Sequence, residues 1–292
     1  MNILVTGSNG QLGRQLRLAG FDSGHHFVFT DITESIDVET LNLDICNQAA
    51  VEIVSESEKI DLIVNCAAYT NVDQAEDDVY MADLLNHVAP SYLADVARRR
   101  DIPLIHISTD YVFSGRNHPY PYCEKDIPEP TNVYGTTKLA GEDAIMKSGC
   151  KYIIIRTSWL YSAFGKNFLK TMQTLFSSKK EARVVCDSVG TPTWAGDLAA
   201  SIMHIIETPS LLQKTGLYHY SDEGVASWYD FAHSICSLGG ADCQVIPVLG
   251  SEYPTRARRP MYSVLDKSLF KKTFGVTIPH WEDSLKECLK TL

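Results

Sequence analysis

Short apolar runs punctuate the first half of the chain, and each stops at small or polar residues. Residues 2–6 break at Gly7, His26 to Thr30 ends on Asp31, and 61–66 run into Asn65-Cys66-Ala67-Ala68-Tyr69. Pro103 to Ile107 delivers Ser108-Thr109-Asp110-Tyr111, and Tyr152 to Arg156 delivers Thr157-Ser158-Trp159. Between them lie segments of helical period, through Leu12, Leu16 and Leu18, over about 47–58 and over about 78–100. Runs of this length bounded by turn residues read as buried strands, and their alternation with helices predicts a doubly wound parallel sheet in an α/β fold. The triplet Arg98-Arg99-Arg100 reads as a solvated helix end suited to the helix dipole.

After residue 160 the pattern loosens. Helices are expected over about 166–177, 196–207, 228–238 and 281–291, with strands over 183–186, 217–220 and 243–248. The division that follows is a nucleotide-binding domain over 1–160 with a return segment at about 190–215. A smaller mixed lobe, over 161–189 and 216–292, would close a substrate cleft over the carboxyl ends of the strands.

Composition narrows the class. A 292-residue chain with 45% hydrophobic and 21% charged residues has the make-up of a globular protein with a large core. A formal net charge of -10 argues against a nucleic-acid partner and against a basic membrane surface. The N-terminus lacks a basic signal region, and no segment approaches the ~20 apolar residues of a membrane span. The eight cysteines are scattered without paired metal spacing, which suits free thiols in a reducing cytoplasm.

The first turn carries chemistry. Gly7-Ser8-Asn9-Gly10-Gln11-Leu12-Gly13 follows a strand and opens a helix, the setting a dinucleotide pyrophosphate needs. Gly7 permits the tight turn, Gly10 the approach of the pyrophosphate, and Gly13 close packing of helix on strand. Asn9, Gln11 and Leu12 share that loop. Asp31, at the end of the second strand, stands where a carboxylate meets the ribose hydroxyl, with a simple loop carboxylate as the competing reading. Asp44 and Ile45 stand where an adenine could lie, and Ala67, Ala68 and Tyr69 supply small residues and an edge where a cofactor needs room.

A second constellation follows Pro128 and Pro130, with Thr131 or Asn132 as the helix cap. Tyr134 and Lys138 are four apart and share one helix face. A tyrosine starts from a pKa of about 10. A neighbouring ammonium would pull it down and make the phenol a usable general acid. An ordinary, partly exposed helix pair has the same spacing.

Taken together, Gly7-x-x-Gly10-x-x-Gly13, Ser108-Thr109-Asp110 and Tyr134-x-x-x-Lys138 resemble the extended short-chain dehydrogenase/reductases. Within them, Ser108-Thr109-Asp110-Tyr111-Val112-Phe113, Arg156-Thr157-Ser158-Trp159, Gly190-x-Pro192-Thr193 and Arg259-Pro260 are similar to the dTDP-4-dehydrorhamnose reductase family over nearly the whole chain. The resemblance implies reduction by NADPH or NADH of the C4 ketone of dTDP-4-dehydro-L-rhamnose. It implies Tyr134 as proton donor, Lys138 on the nicotinamide ribose, and Thr109 on the substrate oxygen. Asp110, Tyr111 and Trp159 would line the sugar-nucleotide site, against strand-end capping and core packing as plainer roles. Arg259 would meet the diphosphate or form a structural ion pair. Sugar-nucleotide 4,6-dehydratases carry a glutamate where Tyr111 stands, so the base for water elimination is missing. Gln15 and Arg17 replace the acidic residues with which some members hold a divalent metal at a dimer contact, so no metal is expected; a homodimer stays open. Two other readings share these motifs: a sugar-nucleotide epimerase or a reductase of another deoxysugar, and a non-catalytic regulatory subunit resembling that of methionine adenosyltransferase.

Overall fold

In the computed structural model, which describes residues 1–116 and 119–292, six of the expected strands and one short strand that was not expected assemble into a seven-stranded sheet. They are β1 (Asn2–Thr6), β2 (His26–Asp31), β3 (Leu41–Asn42), β4 (Leu62–Asn65), β5 (Leu104–Thr109), β6 (Tyr152–Thr157) and β7 (Gly216–His219). Their order across the sheet is β3-β2-β1-β4-β5-β6-β7, and every neighbouring pair is parallel. The order reverses between β1 and β4, and ligands of such sheets bind beyond the carboxyl ends of the strands at that point.

A parallel sheet needs both faces covered. On one side Ile3, Val5, Leu62, Val64, Ile105 and Ile153 pack under Leu12 and Leu16 of the helix Gln11–Ala19 and under Leu198 and Ile202 of the helix Ala195–Glu207. On the other, Leu4, Ile63, Leu104 and Ile154 pack under the helices Gln48–Ser57, Ala89–Arg100 and Val133–Ser148. A separate core around Tyr161, Leu169, Phe231 and Trp281 holds the helices Phe168–Ser178, Trp228–Leu238 and Trp281–Leu289 together.

Several elements differ from expectation. The helix expected over about 78–100 is α-helical over Val79–Asp83, passes through a π turn at Leu84–Val88, and resumes as Ala89–Arg100. Pro90 in the first turn of the resumed helix cannot donate a backbone hydrogen bond, which suits a change of register there. Strand β3 is two residues long, too short to show an alternation. The sheet also continues past the expected return segment. Strand β7 is its edge, and Phe270 and Phe274 of the helix Ser268–Phe274 pack against it, in a stretch read from sequence as part of the smaller lobe. No helix among the described residues is long and apolar enough to cross a membrane.

Candidate active site

A cavity of about 600 Å³ opens along the carboxyl ends of the central strands. One end is the glycine turn. Gly7 sits at φ +63°, and a Cβ there would meet the Cα and N of Ala67 at 2.6 Å, so the turn and the strand end β4 close on each other only because Gly7 is bare. A Cβ on Gly13 would enter the backbone of Ser8, as close packing of helix on strand requires. Gly10 caps the helix Gln11–Ala19 without a side chain of its own and leaves the backbone open to the cavity. This bare turn at a helix N-terminus fits a pyrophosphate. Asp31 lies at its rim and accepts hydrogen bonds from the Asn9 backbone N–H at 3.0 Å and from Thr33. Ile32, Leu43 and Ile45 form an apolar end beside it that suits a flat base.

At the other end the helix Val133–Ser148 starts at Asn132, whose side chain accepts the Gly135 N–H at 2.7 Å. Gly135 and Gly141 let this helix lie directly on the Tyr111 and Asn86 carbonyls, so Tyr134 and Lys138 are set against the end of β5. Tyr134 and Thr109 both line the cavity, and the Tyr134 ring meets that of Tyr111 edge-on at 5.6 Å. Thr109 Oγ1 accepts the Tyr111 N–H at 3.2 Å. Asp110 is buried, with one carboxylate oxygen unpartnered, and burial pushes its pKa up to about 7.

The electrostatics differ from the simple tyrosine–lysine pair. Burial, opposed by the Thr109 hydroxyl, pushes the Tyr134 pKa up to about 12. The expected depression by the ammonium is not met, because Lys138 Nζ turns to the Ile107 carbonyl at 2.6 Å and to His106 at 3.3 Å. Burial lowers Lys138 itself to about 8. Tyr134 therefore carries its proton at neutral pH, the form a proton donor needs.

The cavity brings together Gly7, Gly10, Gln11, Leu12, Asp31, Ile45, Ala67, Ala68, Thr109, Asp110, Tyr111, Tyr134, Lys138, Trp159 and Arg259. Four sequence candidates are used elsewhere. Asn9 ties the turn to the β2 loop through Thr33 and Thr40, and Gly13 lies behind the turn. Asp44 caps the Cys46 N–H, and the Tyr69 hydroxyl points to Asp78. Arg259 lines the cavity and also pairs with Asp73 at 2.8 Å, so the structural ion pair is present.

Sequence reasoning missed the wall supplied by residues 166, 167 and 228. Trp228 stacks on Trp159 at 3.5 Å with the rings nearly parallel, and Lys166 and Asn167 complete that side. Trp159 holds a left-handed φ of +47°, and a Cβ on Gly190 would collide with its indole. The Gln11 side chain ties the glycine turn to this wall, donating to the Leu160 carbonyl at 3.3 Å and accepting from Asn167 at 2.9 Å. The signal available was thin: a glutamine inside a glycine turn.

Comparison with known proteins agrees with this geometry. The family model for the RmlD substrate binding domain matches residues 1–292. The chain is 38% identical to the dTDP-4-dehydrorhamnose reductase of Aggregatibacter actinomycetemcomitans, over 97% of each protein. Among solved structures, it superposes on a dTDP-4-dehydrorhamnose reductase ortholog of Clostridium acetobutylicum with a TM-score of 0.92 and 38% identity, over 100% of this chain and 99% of the other. The reductase of Bacillus anthracis, solved in complex with NADP, gives a TM-score of 0.90 at 35% identity, over 100% and 99%. With sequence and fold matched from end to end, the chain belongs to the RmlD family, that of the dTDP-4-dehydrorhamnose reductases.

Proposed function

We propose that the cavity binds NADPH or NADH beside a deoxythymidine-diphosphate sugar, and that Tyr134, Thr109 and Lys138 carry the reduction of the C4 ketone of dTDP-4-dehydro-L-rhamnose to dTDP-L-rhamnose. The observation that carries this reading is Tyr134, set with Thr109 and Lys138 at the far end of a cavity that begins at a bare glycine turn. A nicotinamide cofactor, when bound, supplies the hydride that C4 receives. Tyr134 gives its hydroxyl proton to the ketone oxygen, so the C=O double bond becomes an alcohol and the tyrosine a phenolate. Thr109 donates a hydrogen bond that favours the phenolate and orients the oxygen. Lys138 holds the cofactor ribose and returns a proton to the phenolate. Trp159, backed by Trp228, forms a flat apolar wall suited to the C6 methyl of a 6-deoxy sugar. Asp110 and Tyr111 line the sugar, and Arg259 stands near the diphosphate while held by Asp73. Eight unpaired cysteines suit work in a reducing cytoplasm.

An epimerase or dehydratase returns the hydride to its own substrate and keeps its cofactor, whereas this reductase consumes one. Following NADPH oxidation with the 4-keto sugar generated in situ from dTDP-glucose tests the reading. One cofactor is expected to be oxidised per dTDP-L-rhamnose formed, and no water elimination from dTDP-glucose. Protein that carries bound NAD⁺ and turns over dTDP-glucose without added cofactor overturns the reading.

A further inference from the structure

Behind the active site runs a chain of buried polar groups whose directions are fixed one by one. The Ala67 backbone N–H can only donate, and it meets Asn65 Oδ1 at 3.2 Å. Thr6 Oγ1 donates to the same oxygen at 2.6 Å. The amide oxygen of Asn65 therefore faces these two groups, and its Nδ2 faces His106 Nδ1 at 2.9 Å. An amide NH₂ only donates, so His106 Nδ1 must accept and carries no proton. A neutral imidazole then bears its hydrogen on Nε2, which lies 3.3 Å from Lys138 Nζ. Nζ already donates to the Ile107 carbonyl at 2.6 Å. An ammonium would face the imidazole N–H donor to donor, while a neutral amine accepts that hydrogen in its lone pair.

We infer that His106 is a positioning residue, locked by Asn65 in the Nε2–H tautomer, which favours the uncharged form of Lys138 and so eases the release of its proton. Several titratable groups surround Nζ. His106 itself is fully buried, and burial keeps its ring neutral. The thiol of Cys66, at the end of β4, is pushed up to about 12 by burial and stays uncharged. Glu142, one turn along the same helix, favours the ammonium, but its carboxylate is committed to Arg156 of β6. Tyr134 is protonated. The burial that brings Lys138 to about 8 acts in the same direction. If Lys138 serves the reduction as proposed above, the device makes it a group that gains and loses its proton near neutrality, able to restore the Tyr134 proton each turnover.

Two NMR measurements on the cofactor-free protein test this without any turnover. Long-range ¹H–¹⁵N spectra, with His106→Phe to assign the ring, report the tautomer. The expected pattern is a neutral ring protonated on Nε2 throughout pH 6–9, a range set around the lysine midpoint. A ring protonated on Nδ1, or an imidazolium, overturns the inference. In the second, lysine labelled with ¹³C at Cε is titrated, with Lys138→Met for assignment. The wild type should turn over near pH 8. Asn65→Asp, nearly the same shape, accepts a hydrogen from Nδ1, so Nε2 becomes an acceptor and the Lys138 midpoint should rise by about one unit or more. The carboxylate's own charge is read by adding Asn65→Asp to His106→Phe, where no ring nitrogen can flip. That shift should be clearly smaller; an equal shift overturns the inference. Loss of activity in Tyr134 variants is independent of these spectra, so failure of the catalytic reading and failure of this one are told apart.

Discussion

Glu142 and Arg156 form a buried pair that joins the three elements of the active site, and cutting it tests how that site is held. Glu142 is 0% and Arg156 3% exposed. Arg156 Nε donates to both carboxylate oxygens, at 2.9 and 3.2 Å, and Nη2 donates at 2.6 Å. Ser108, next to Thr109, donates to the same carboxylate, and the guanidinium lies 5.1 Å from the Phe113 ring centre. Glu142→Leu leaves the guanidinium charged, buried and without a counter-ion. Removing one partner of a buried pair costs about 3–5 kcal/mol. Set against a total stability of about 5–15 kcal/mol, that is a large share. Urea unfolding should show the loss as a lower midpoint at unchanged slope. Glu142→Leu/Arg156→Met removes both charges and should recover to within about 2 kcal/mol of wild type, since apolar replacement of such pairs is often neutral. A single variant within about 1 kcal/mol of wild type, or a double variant no better than the single, would refute the reasoning.

Three further outcomes follow from the site. Both NADH and NADPH should serve, and Asp31→Ser should raise kcat/KM for NADPH relative to NADH, because the carboxylate at the cavity rim repels a 2′-phosphate; steady-state kinetics with each cofactor decides it. Burial raises Asp110 from 3.8 in the unfolded chain to about 7, so the folded form keeps a proton that the unfolded form loses. The stability this gives is full below about 3.8 and declines as pH rises toward 7, so Asp110→Asn should gain on wild type across that window in urea unfolding run at several pH values. Trp159→Ala, which removes one ring of the Trp159–Trp228 stack, should raise KM for the sugar nucleotide several-fold while leaving that for the cofactor nearly unchanged.

What was legible in the sequence had local causes. A buried strand ending on glycine, a cap such as Asn132 and a Tyr-x-x-x-Lys spacing are written within a few residues, and the sheet and the placing of Tyr134 and Lys138 on one helix at the cavity followed from them. Trp228, Lys166 and Asn167 reach the cavity from far along the chain, and nothing near them in sequence says which wall they face. Asn9, Asp44 and Tyr69 were read by position in a motif, but their side chains serve loop hydrogen bonds. The direction in which Lys138 points depends on His106, 32 residues away along the chain, so its influence on Tyr134 could not be judged from helix spacing.

The central claim is that Tyr134 donates the proton, and Tyr134→Phe tests it with one oxygen removed. With saturating dTDP-4-keto sugar and NADPH, kcat should fall by ~10²–10⁴-fold, the usual contribution of a positioned acid. The KM values and the affinity for NADPH should stay near those of the wild type. Turnover close to wild type under the same conditions would contradict the account.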